Sequence, residues 1–301
     1  MSSKKHIHRG KPQFLNKLAP QLFPELASKA KARKAISAGE LTVNGQRVHP
    51  DARVVAGDEI SLKGLSAKGT QTQAGASRRV YDLEVAVLYE DDHIAAVHKP
   101  GGIPVNGVQL KTLENALPKN LAPTRETDAL EYLMPLHRLD APTTGLVLIA
   151  KTNRAQVIMG QRFQQKEVNK RYQAVVIGEL PQAQGEVNEP IDRKPSTSRY
   201  EVVETVPSAT YGSLSLVKLY PVTGRTHQLR IHMAHLGCPI VGDKQYSGEM
   251  EVLAGKGLML CADEVSFHHP ITEEPLTITT EVPRKFIKYM EWESRARNGR
   301  R

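Results

Sequence analysis

After residue 80 the chain alternates apolar and polar positions in short runs, a pattern typical of half-buried β-strands. The runs that predict strands are VAVLYE, HIAAVHKP, TGLVLIAK, RYQAVVIG, SLSLVKLYPV and LMLCADEVSF. The first two are separated by two aspartates and predict a hairpin. Segments with helical periodicity interrupt the strands at irregular intervals. The pattern therefore predicts an α+β fold with a mixed, mainly antiparallel sheet, and not a doubly wound parallel sheet.

Two segments of this region have helical spacing. TNRAQVIMGQRFQQKEV predicts a helix with Thr152 as its N-cap residue. RTHQLRIHMAHLG predicts a short helix, because Leu229, Met233 and Leu236 recur at i, i+4 and i+7. Gly237 follows directly and can end that helix in a left-handed conformation.

The first 63 residues predict a separate small unit. ASKAKARKAISAG predicts a basic helix that ends at Gly39. Asn44-Gly45 lies between β-branched residues and predicts a tight hairpin, and VVAGDEISL predicts another turn and strand. Because lysines and arginines follow one helix beside a small sheet, the unit is interpreted as a nucleic-acid-binding module.

Composition changes sharply after this unit. Residues 64–79 are rich in Gly, Ala, Ser, Thr and Gln without periodicity, and they predict a flexible linker. The predicted organisation is a module over 1–63 with a basic tail at 1–12, the linker at 64–79, a large domain over 80–291 and a basic tail at 292–301.

Charge and composition narrow the class of protein. The 301 residues include 41 Lys and Arg against 32 Asp and Glu, a net charge of +9. Residues 1–63 carry twelve of the cations and five of the acids, so most of the net charge lies there. Such a balance suits a polyanionic partner. No apolar run approaches the ~18 residues of a membrane span. The basic N-terminus predicts no secretory signal, and two cysteines favour a reducing compartment, so the expected location is the cytoplasm.

Common catalytic patterns are not evident. Zinc requires three or four converging ligands. The candidate ligands are His227, His232, His235, Cys238, His268 and His269. Their spacing matches no usual zinc pattern, and no metal is expected. No G-x-S-x-G nucleophile turn, closely spaced carboxylate pair or phosphate-binding glycine loop is present.

One aspartate stays ambiguous on residue chemistry alone. Asp140 lies in HRLDAPTTG, directly before the apolar run LVLIAK. Aspartate commonly initiates a turn by accepting hydrogen bonds from nearby backbone N–H groups. Alternatively, an arginine within ~4–6 Å would keep the carboxylate ionised and able to act as a nucleophile. Arg225 and Arg230 in TGRTHQLR are candidate partners, although solvated arginines explain them equally well. Tyr172 would by default be a half-buried strand residue.

Four ordered motifs resemble the RluA family of RNA pseudouridine synthases. They are HRLDAPTTGLVLIAKT, KRYQAVVIGEL, PVTGRTHQLRIHMAHLGCPIVGDKQY and LCADEVSFHHP, and the resemblance extends from about residue 84 to 281. Residues 13–63 resemble an S4 RNA-binding domain, with ARKAISAGELTVNGQRV as its core. The resemblance implies the pseudouridine synthase fold and isomerisation of uridine, in which the base leaves C1′, rotates and rejoins through C5. It implies neither cofactor nor metal.

The resemblance also implies roles for individual residues. Asp140 matches the catalytic aspartate, Tyr172 the tyrosine that stacks on the target base, and Arg230 the arginine that pairs with the aspartate. Residues implied to contact RNA in this domain are His137, Arg138, Thr144, Arg225 and His227. In the S4-like domain they are Lys29, Lys31, Arg33, Lys34, Asn44 and Arg47. The chain departs from the family pattern at Thr144, where serine is usual, and at Asn106, where many relatives carry histidine.

The expected partner is RNA, with no membrane and no obligatory protein partner. Large-subunit ribosomal RNA is the leading substrate, because S4 modules accompany the synthase domain in the ribosomal members of the family. A synthase that acts on tRNA is the alternative, and a non-catalytic RNA-binding protein with the same fold is a third hypothesis.

Overall fold

The computed structural model describes residues 4–26, 28–49, 51–63, 80–248 and 257–298. The chain divides into two compact units, 1–77 and 78–301. The linker predicted at 64–79 lies outside the described residues.

The N-terminal unit combines helices with short strands. Its elements are β1 (Lys4–Ile7), β2 (Gln13–Phe14), α1 (Leu15–Leu22), a 3₁₀ turn (Pro24–Leu26), α2 (Lys29–Ala38), β3 (Leu41–Val43), β4 (Arg53–Val54) and β5 (Glu59–Leu62). Strands β1, β5 and β3 form one antiparallel sheet, and β2 pairs with β4. Strand β1 lies within the segment 1–12 that was predicted as a basic tail. Residues 4–7 are instead part of the sheet, because their backbone pairs with β5.

The predicted basic helix and turn are both present. Ser28 caps α2 by accepting from the Lys31 N–H, and Gly39 ends the helix with φ 71°. Asn44 and Gly45 form the predicted turn with φ 50° and 77°. The predicted hairpin is wrong beyond the turn, because β3 meets only Gln46 across it and pairs along its length with β5. After the turn, Gln46 and Arg47 are exposed and Val48 packs against the core of the unit, so this segment does not extend the ladder with β3.

The second unit carries most of the strands. Its elements are β6 (Val87–Glu90), β7 (Ile94–Lys99), α3 (Leu113–Asn120), β8 (Ala129–Pro135), β9 (Thr144–Thr152), α4 (Asn153–Gln165), β10 (Asn169–Ile177), β11 (Gln184–Val187), β12 (Ser198–Ser208), β13 (Gly212–Pro221), α5 (Gln228–His235), β14 (Leu260–His268), β15 (Pro275–Thr279) and α6 (Lys285–Asn298). Thr152 caps α4 and α5 ends before Gly237, as predicted.

These strands form one mixed sheet of ten strands. The order is β11-β12-β13-β10-β14-β9-β7-β6, with β15 beside β14 and β8 beside β9. Every pair is antiparallel except β14 with β9. The predicted α+β class with a mixed, mainly antiparallel sheet is confirmed.

The two faces of the central strand β10 bury different helices. Ala174 and Val176 pack in one cluster with Leu229 and Met233 of α5. The alternate residues, such as Val175, pack in another cluster with Phe286, Tyr289 and Met290 of α6. Because side chains alternate along a strand, Tyr172 shares the face that carries α5.

Gly145 permits the junction between the parallel strands. Its φ is +114°, and a Cβ atom there would lie 2.1 Å from the carbonyl oxygen of Ala262 on β14. Only glycine fits this close approach. The junction positions the chain immediately after the Asp140 turn.

The C-terminal tail predicted from residue 292 is wrong up to Asn298, where α6 ends. Glu293 of α6 is fully buried and accepts hydrogen bonds from Ser208 and Thr210, which ties the helix to the β12–β13 hairpin. Among the helices in the described part of the chain, none is long and apolar enough to cross a membrane.

Candidate active site

The turn that carries Asp140 is held by its backbone. The Thr143 N–H donates to the Asp140 carbonyl at 3.1 Å. The next carbonyl, that of Ala141, accepts from the Gly102 N–H at 2.7 Å and from the Lys99 Nζ at 3.1 Å. The Asp140 carboxylate makes no hydrogen bond to a backbone N–H among the described residues. The side chain is therefore not used to shape its own turn.

Lys99 is a structural cation that the sequence interpretation missed. Its side chain is fully buried at the end of β7, and the ammonium donates to the carbonyls of Pro100, Ile103 and Ala141. Burial lowers the pKa of Lys99 to about 8, although the negative charge of Asp140 acts in the opposite direction. Lys99 therefore links the turn after β7 to the turn that carries Asp140.

Two cationic or protonatable side chains face the Asp140 carboxylate. Arg230 Nη1 lies 3.5 Å from Asp140 Oδ2, and His227 Nε2 lies 3.6 Å from Asp140 Oδ1. The Asp140 side chain is 19% exposed, whereas that of Arg230 is only 6% exposed. The carboxylate thus reaches solvent at the cleft while its counter-charge comes from the protein interior.

The main partner of Arg230 is Asp243, another residue that the sequence interpretation did not single out. Arg230 Nε and Nη2 donate to the two Asp243 oxygens at 2.7 and 2.8 Å. Burial alone would lower the pKa of Arg230, but the hydrogen bonds and charge of Asp243 and the charge of Asp140 outweigh it and raise this pKa. Burial alone would raise the pKa of Asp243, yet the bonds from Arg230 and from the backbone hold it below its ordinary value. Asp243 therefore compensates the charge of a buried guanidinium and holds it beside Asp140.

Tyr172 lies half-buried in the wall of the same cleft. The register of β10 against β14 shifts between Arg171 and Tyr172, which leaves Asp263 of β14 as an extra residue. Burial raises the pKa of Tyr172, and the negative charge of Asp140 raises it further. The phenol is therefore neutral at pH 7, and a phenolate base is disfavoured in the free chain.

The cleft that these residues line has a volume of about 1060 Å³. Its walls also carry exposed Arg138 and Arg225, and Arg225 donates to the Pro195 carbonyl at 3.1 and 3.2 Å. The Arg138 guanidinium makes no hydrogen bond or ion pair within the described ranges. The structure therefore places Asp140 and these two arginines, which the sequence had singled out, on one concave surface.

His137 and Thr144 were predicted to contact RNA, but their polar atoms bind the protein. His137 Nε2 accepts from the Leu148 N–H at 3.0 Å, which anchors the segment before Asp140 to β9. Burial and the nearby charge of Lys170 lower the pKa of His137 to about 3, so the imidazole is neutral. Thr144 is buried and its hydroxyl donates to the Leu260 carbonyl at 3.2 Å. Their placement supports a structural role and gives no support to RNA contact.

The predicted contacts of the N-terminal unit divide in the same way. Exposed Lys29, Lys31 and Lys34 project from the first two turns of α2, where no acidic residue offsets them. The other three have partners within the unit: Arg33 pairs with Asp51, Asn44 donates to Asp58, and Arg47 donates to the Ala38 carbonyl. The three lysines are therefore the cations available to a polyanion on this helix.

The histidines considered as metal ligands do not converge. His232 is fully buried and hydrogen-bonds Ser198 through Nδ1 and the Glu189 carbonyl through Nε2. His269 hydrogen-bonds Asp91, which lies 178 positions away in the sequence. Within the described ranges, no group of three or more His, Cys, Asp or Glu side chains is placed to hold a metal ion.

Comparisons with known proteins identify the family of the chain. Residues 93–235 match the RNA pseudouridylate synthase family, and residues 25–60 match the S4 domain. The ribosomal large subunit pseudouridine synthase C of Vibrio vulnificus is 30% identical over 280 residues, which cover 86% of each chain. The dual-specificity RNA pseudouridine synthase RluA of Pasteurella multocida is 36% identical over 214 residues, which cover 66% of this chain and 93% of that relative.

A solved structure shares the fold over two thirds of the chain. Human RNA pseudouridylate synthase domain containing 4 gives a TM-score of 0.55 at 26% identity, over 68% of this chain and 92% of that one. The chain belongs to the RluA family of RNA pseudouridine synthases, enzymes that isomerise uridine to pseudouridine in RNA.

Proposed function

We propose that this enzyme isomerises uridine in large-subunit ribosomal RNA, with Asp140 as the carboxylate that detaches the base. The observation that carries the role of Asp140 is its placement. The carboxylate opens into the cleft, has Arg230 and His227 beside it, and takes no part in its own turn. A carboxylate that faces a cleft and is free of backbone bonds can act as a nucleophile.

The reaction balances without an added group. The bond from C1′ to N1 of uridine breaks, a bond from C1′ to C5 forms, the C5 proton is lost and N1 gains a proton. Asp140 acts at the first of these changes, and the Arg230 guanidinium lies beside its carboxylate. The target base must leave its stack first, at a cost of a few kcal/mol.

Tyr172 acts through its ring in this proposal. It lies on the cleft face of the sheet beside Asp140, where an aromatic ring can stack on a base that has left the RNA helix. Its raised pKa favours a neutral phenol that donates or accepts a hydrogen bond. Arg138, exposed at the rim, suits contact with the RNA backbone or the space that the base vacates.

The extent of similarity favours ribosomal RNA as the substrate. Residues 78–301 are 224 of the 301 residues, about three quarters of the chain. The large-subunit enzyme covers 86% of the chain, so its similarity extends into the N-terminal unit. The dual-specificity relative covers 66% of this chain although 93% of its own length is matched. The similarity to the ribosomal enzyme thus includes part of the N-terminal unit, and a ribosomal substrate would place the activity in the cytoplasm.

Site-resolved pseudouridine mapping tests both parts of the proposal. Total RNA is compared between cells with and without the gene, and cells that express the Asp140→Asn variant form the third arm. We expect one or more large-subunit sites to disappear in the deletion strain and in the Asp140→Asn strain. Loss of tRNA sites alone would overturn the ribosomal substrate. Normal modification by Asp140→Asn would overturn the role of Asp140.

A further inference from the structure

His227 has a backbone conformation that its local structure does not require. It precedes α5 with φ 57° and ψ 19°, in the left-handed region that non-glycine residues rarely adopt. A residue at this position commonly caps the helix with its side chain, but His227 makes no such bond. Left-handed backbone at a non-glycine residue is concentrated at functional sites. The conformation points the imidazole into the Asp140 cleft instead of onto the helix end.

The imidazole of His227 lies between Tyr246 and Asp140. Its Nδ1 is 2.8 Å from the Tyr246 hydroxyl, and its Nε2 is 3.6 Å from Asp140 Oδ1. Burial raises the pKa of Tyr246, and although Arg230 opposes this, the charges of Asp243 and Asp140 add to it. The phenol therefore keeps its proton, and its hydroxyl can donate a hydrogen bond to His227 Nδ1. An imidazole that accepts at Nδ1 carries its proton on Nε2, which here faces Asp140.

Arg230 approaches the other oxygen of the same carboxylate. Its Nη1 is 3.5 Å from Asp140 Oδ2, and its guanidinium lies 5.0 Å from the centre of the Tyr246 ring. Asp243 supports both side chains, because it binds the Arg230 guanidinium and accepts from the Tyr246 backbone N–H at 3.2 Å. One buried carboxylate thus organises the groups that face each oxygen of Asp140.

We propose that His227, held by Tyr246, is a positioning residue that with Arg230 clamps the two oxygens of the Asp140 carboxylate. The inference rests on the proposed role of Asp140 and goes beyond RNA contact by His227. At 3.5 and 3.6 Å the two approaches are longer than direct hydrogen bonds. Such bonds commonly tighten when substrate fills a site. Holding both oxygens fixes the plane of the carboxylate, and therefore which lone pair meets the uridine.

The test replaces the imidazole without disturbing the backbone. His227→Gly suits the left-handed conformation better than histidine does, so a folding defect is not expected. His227→Asn also tolerates it and keeps a shorter N–H donor. Tyr246→Phe removes the hydroxyl but keeps the ring beside Arg230. His235→Ala is the matched control, because His235 lies on α5 with its side chain 53% exposed and away from the cleft residues.

Single-turnover conversion and RNA affinity are measured on an RNA that the wild type modifies. We expect His227→Gly to slow conversion about 10- to 100-fold, with RNA affinity changed less than about threefold. Added imidazole should restore part of the rate. Tyr246→Phe should slow conversion less, and the double variant should be no slower than His227→Gly, because Tyr246 acts through His227. His235→Ala should match the wild type.

Two kinetic results would overturn the proposal: a wild-type rate for His227→Gly, or a loss that lies wholly in RNA affinity. If the glycine variant does not fold, His227→Asn takes its place: its shorter side chain cannot contact both Tyr246 and Asp140 as the imidazole does, so a wild-type rate overturns the proposal there too. A crystal structure of the variant gives a readout that needs no RNA. We expect the Asp140 carboxylate to rotate once Oδ1 loses its partner, and an unchanged orientation would count against the clamp. Failure of the ribosomal proposal is distinguishable, because it shows as modification of tRNA alone and leaves the variant comparison possible on tRNA.

Discussion

Removal of Arg230 should destabilise the catalytic unit as well as inactivate it. Arg230 and Asp243 have side chains only 6% and 1% exposed, and Arg230 donates two hydrogen bonds of 2.7 and 2.8 Å to Asp243. Arg230→Ala leaves Asp243 buried with only the backbone N–H groups of Gln245 and Tyr246. Breaking a buried pair from one side costs about 3–5 kcal/mol. For a unit of this size that lowers the unfolding temperature by about 6–20 °C.

Thermal unfolding followed by circular dichroism measures this effect. Asp140→Asn is the matched comparison, because it leaves the Arg230–Asp243 pair intact and should unfold within about 2 °C of the wild type, a shift of no more than 1 kcal/mol. Adding Asp243→Asn to Arg230→Ala should recover part of the loss, since the uncompensated charge is then removed. Arg225→Ala, a change at an exposed arginine of the same cleft, controls for loss of positive charge. Unfolding of Arg230→Ala at the wild-type temperature would refute the reasoning that Asp243 depends on this arginine.

Three further predictions follow from particular contacts. Gly145→Ala should prevent stable folding, because its Cβ would collide with the β14 backbone; Gly160→Ala, with open space in α4, should instead stabilise by about 0.5–1 kcal/mol, and soluble yield and unfolding temperature separate the two. Burial lowers the pKa values of His137 and His232, so the unfolded chain binds protons below pH 6.5 that the folded chain does not. Stability should therefore fall as pH drops from 7 to 5, and a pH-independent unfolding temperature would contradict this. Replacing Lys29, Lys31 and Lys34 of α2 by glutamine should weaken RNA binding and reduce the slope of log affinity against log salt by up to about 3. Filter binding measures this slope, and an unchanged slope would contradict their role in RNA binding.

The sequence predicted those features that depend on neighbouring residues. Thr152 caps α4 and Gly39 ends α2, because capping requires only a few adjacent positions. The Asn44-Gly45 turn formed for the same reason, yet the strand expected after it did not. Strand pairing depends on which edge is available, and here β5 offered β3 a longer apolar partner than the chain after the turn.

The partners of buried charges were beyond such reasoning. Lys99 and Ala141 are 42 positions apart, and Arg230 finds Asp243 only because the chain returns after α5. Asp243 lies within a quoted motif, but an aspartate after glycine has no local property that marks it as buried. A lysine that ends an apolar run directly before Pro-Gly-Gly is the one signal that could have identified Lys99. Buried ions are specified by the whole fold, since each must meet its partner to be tolerated at all.

Adjacent residues of one motif also proved to have different roles. His137 and Arg138 are neighbours, and nothing in the motif distinguished their roles. In the structure the imidazole accepts from the β9 backbone while the guanidinium is exposed at the cleft. One of these two adjacent side chains thus faces the protein and the other the solvent.

Asp140 is free to act on a substrate because other groups stabilise its turn. An aspartate in a turn ordinarily accepts hydrogen bonds from its own backbone and so stabilises the turn. Here other groups have to supply that stabilisation. Lys99 and Gly102 provide it by binding the Ala141 carbonyl, and His137 fixes the preceding segment to β9. The turn is thus stabilised from outside by groups that never touch the carboxylate. What remains beside the carboxylate, Arg230 and His227, orients its charge toward the cleft instead of holding the turn together.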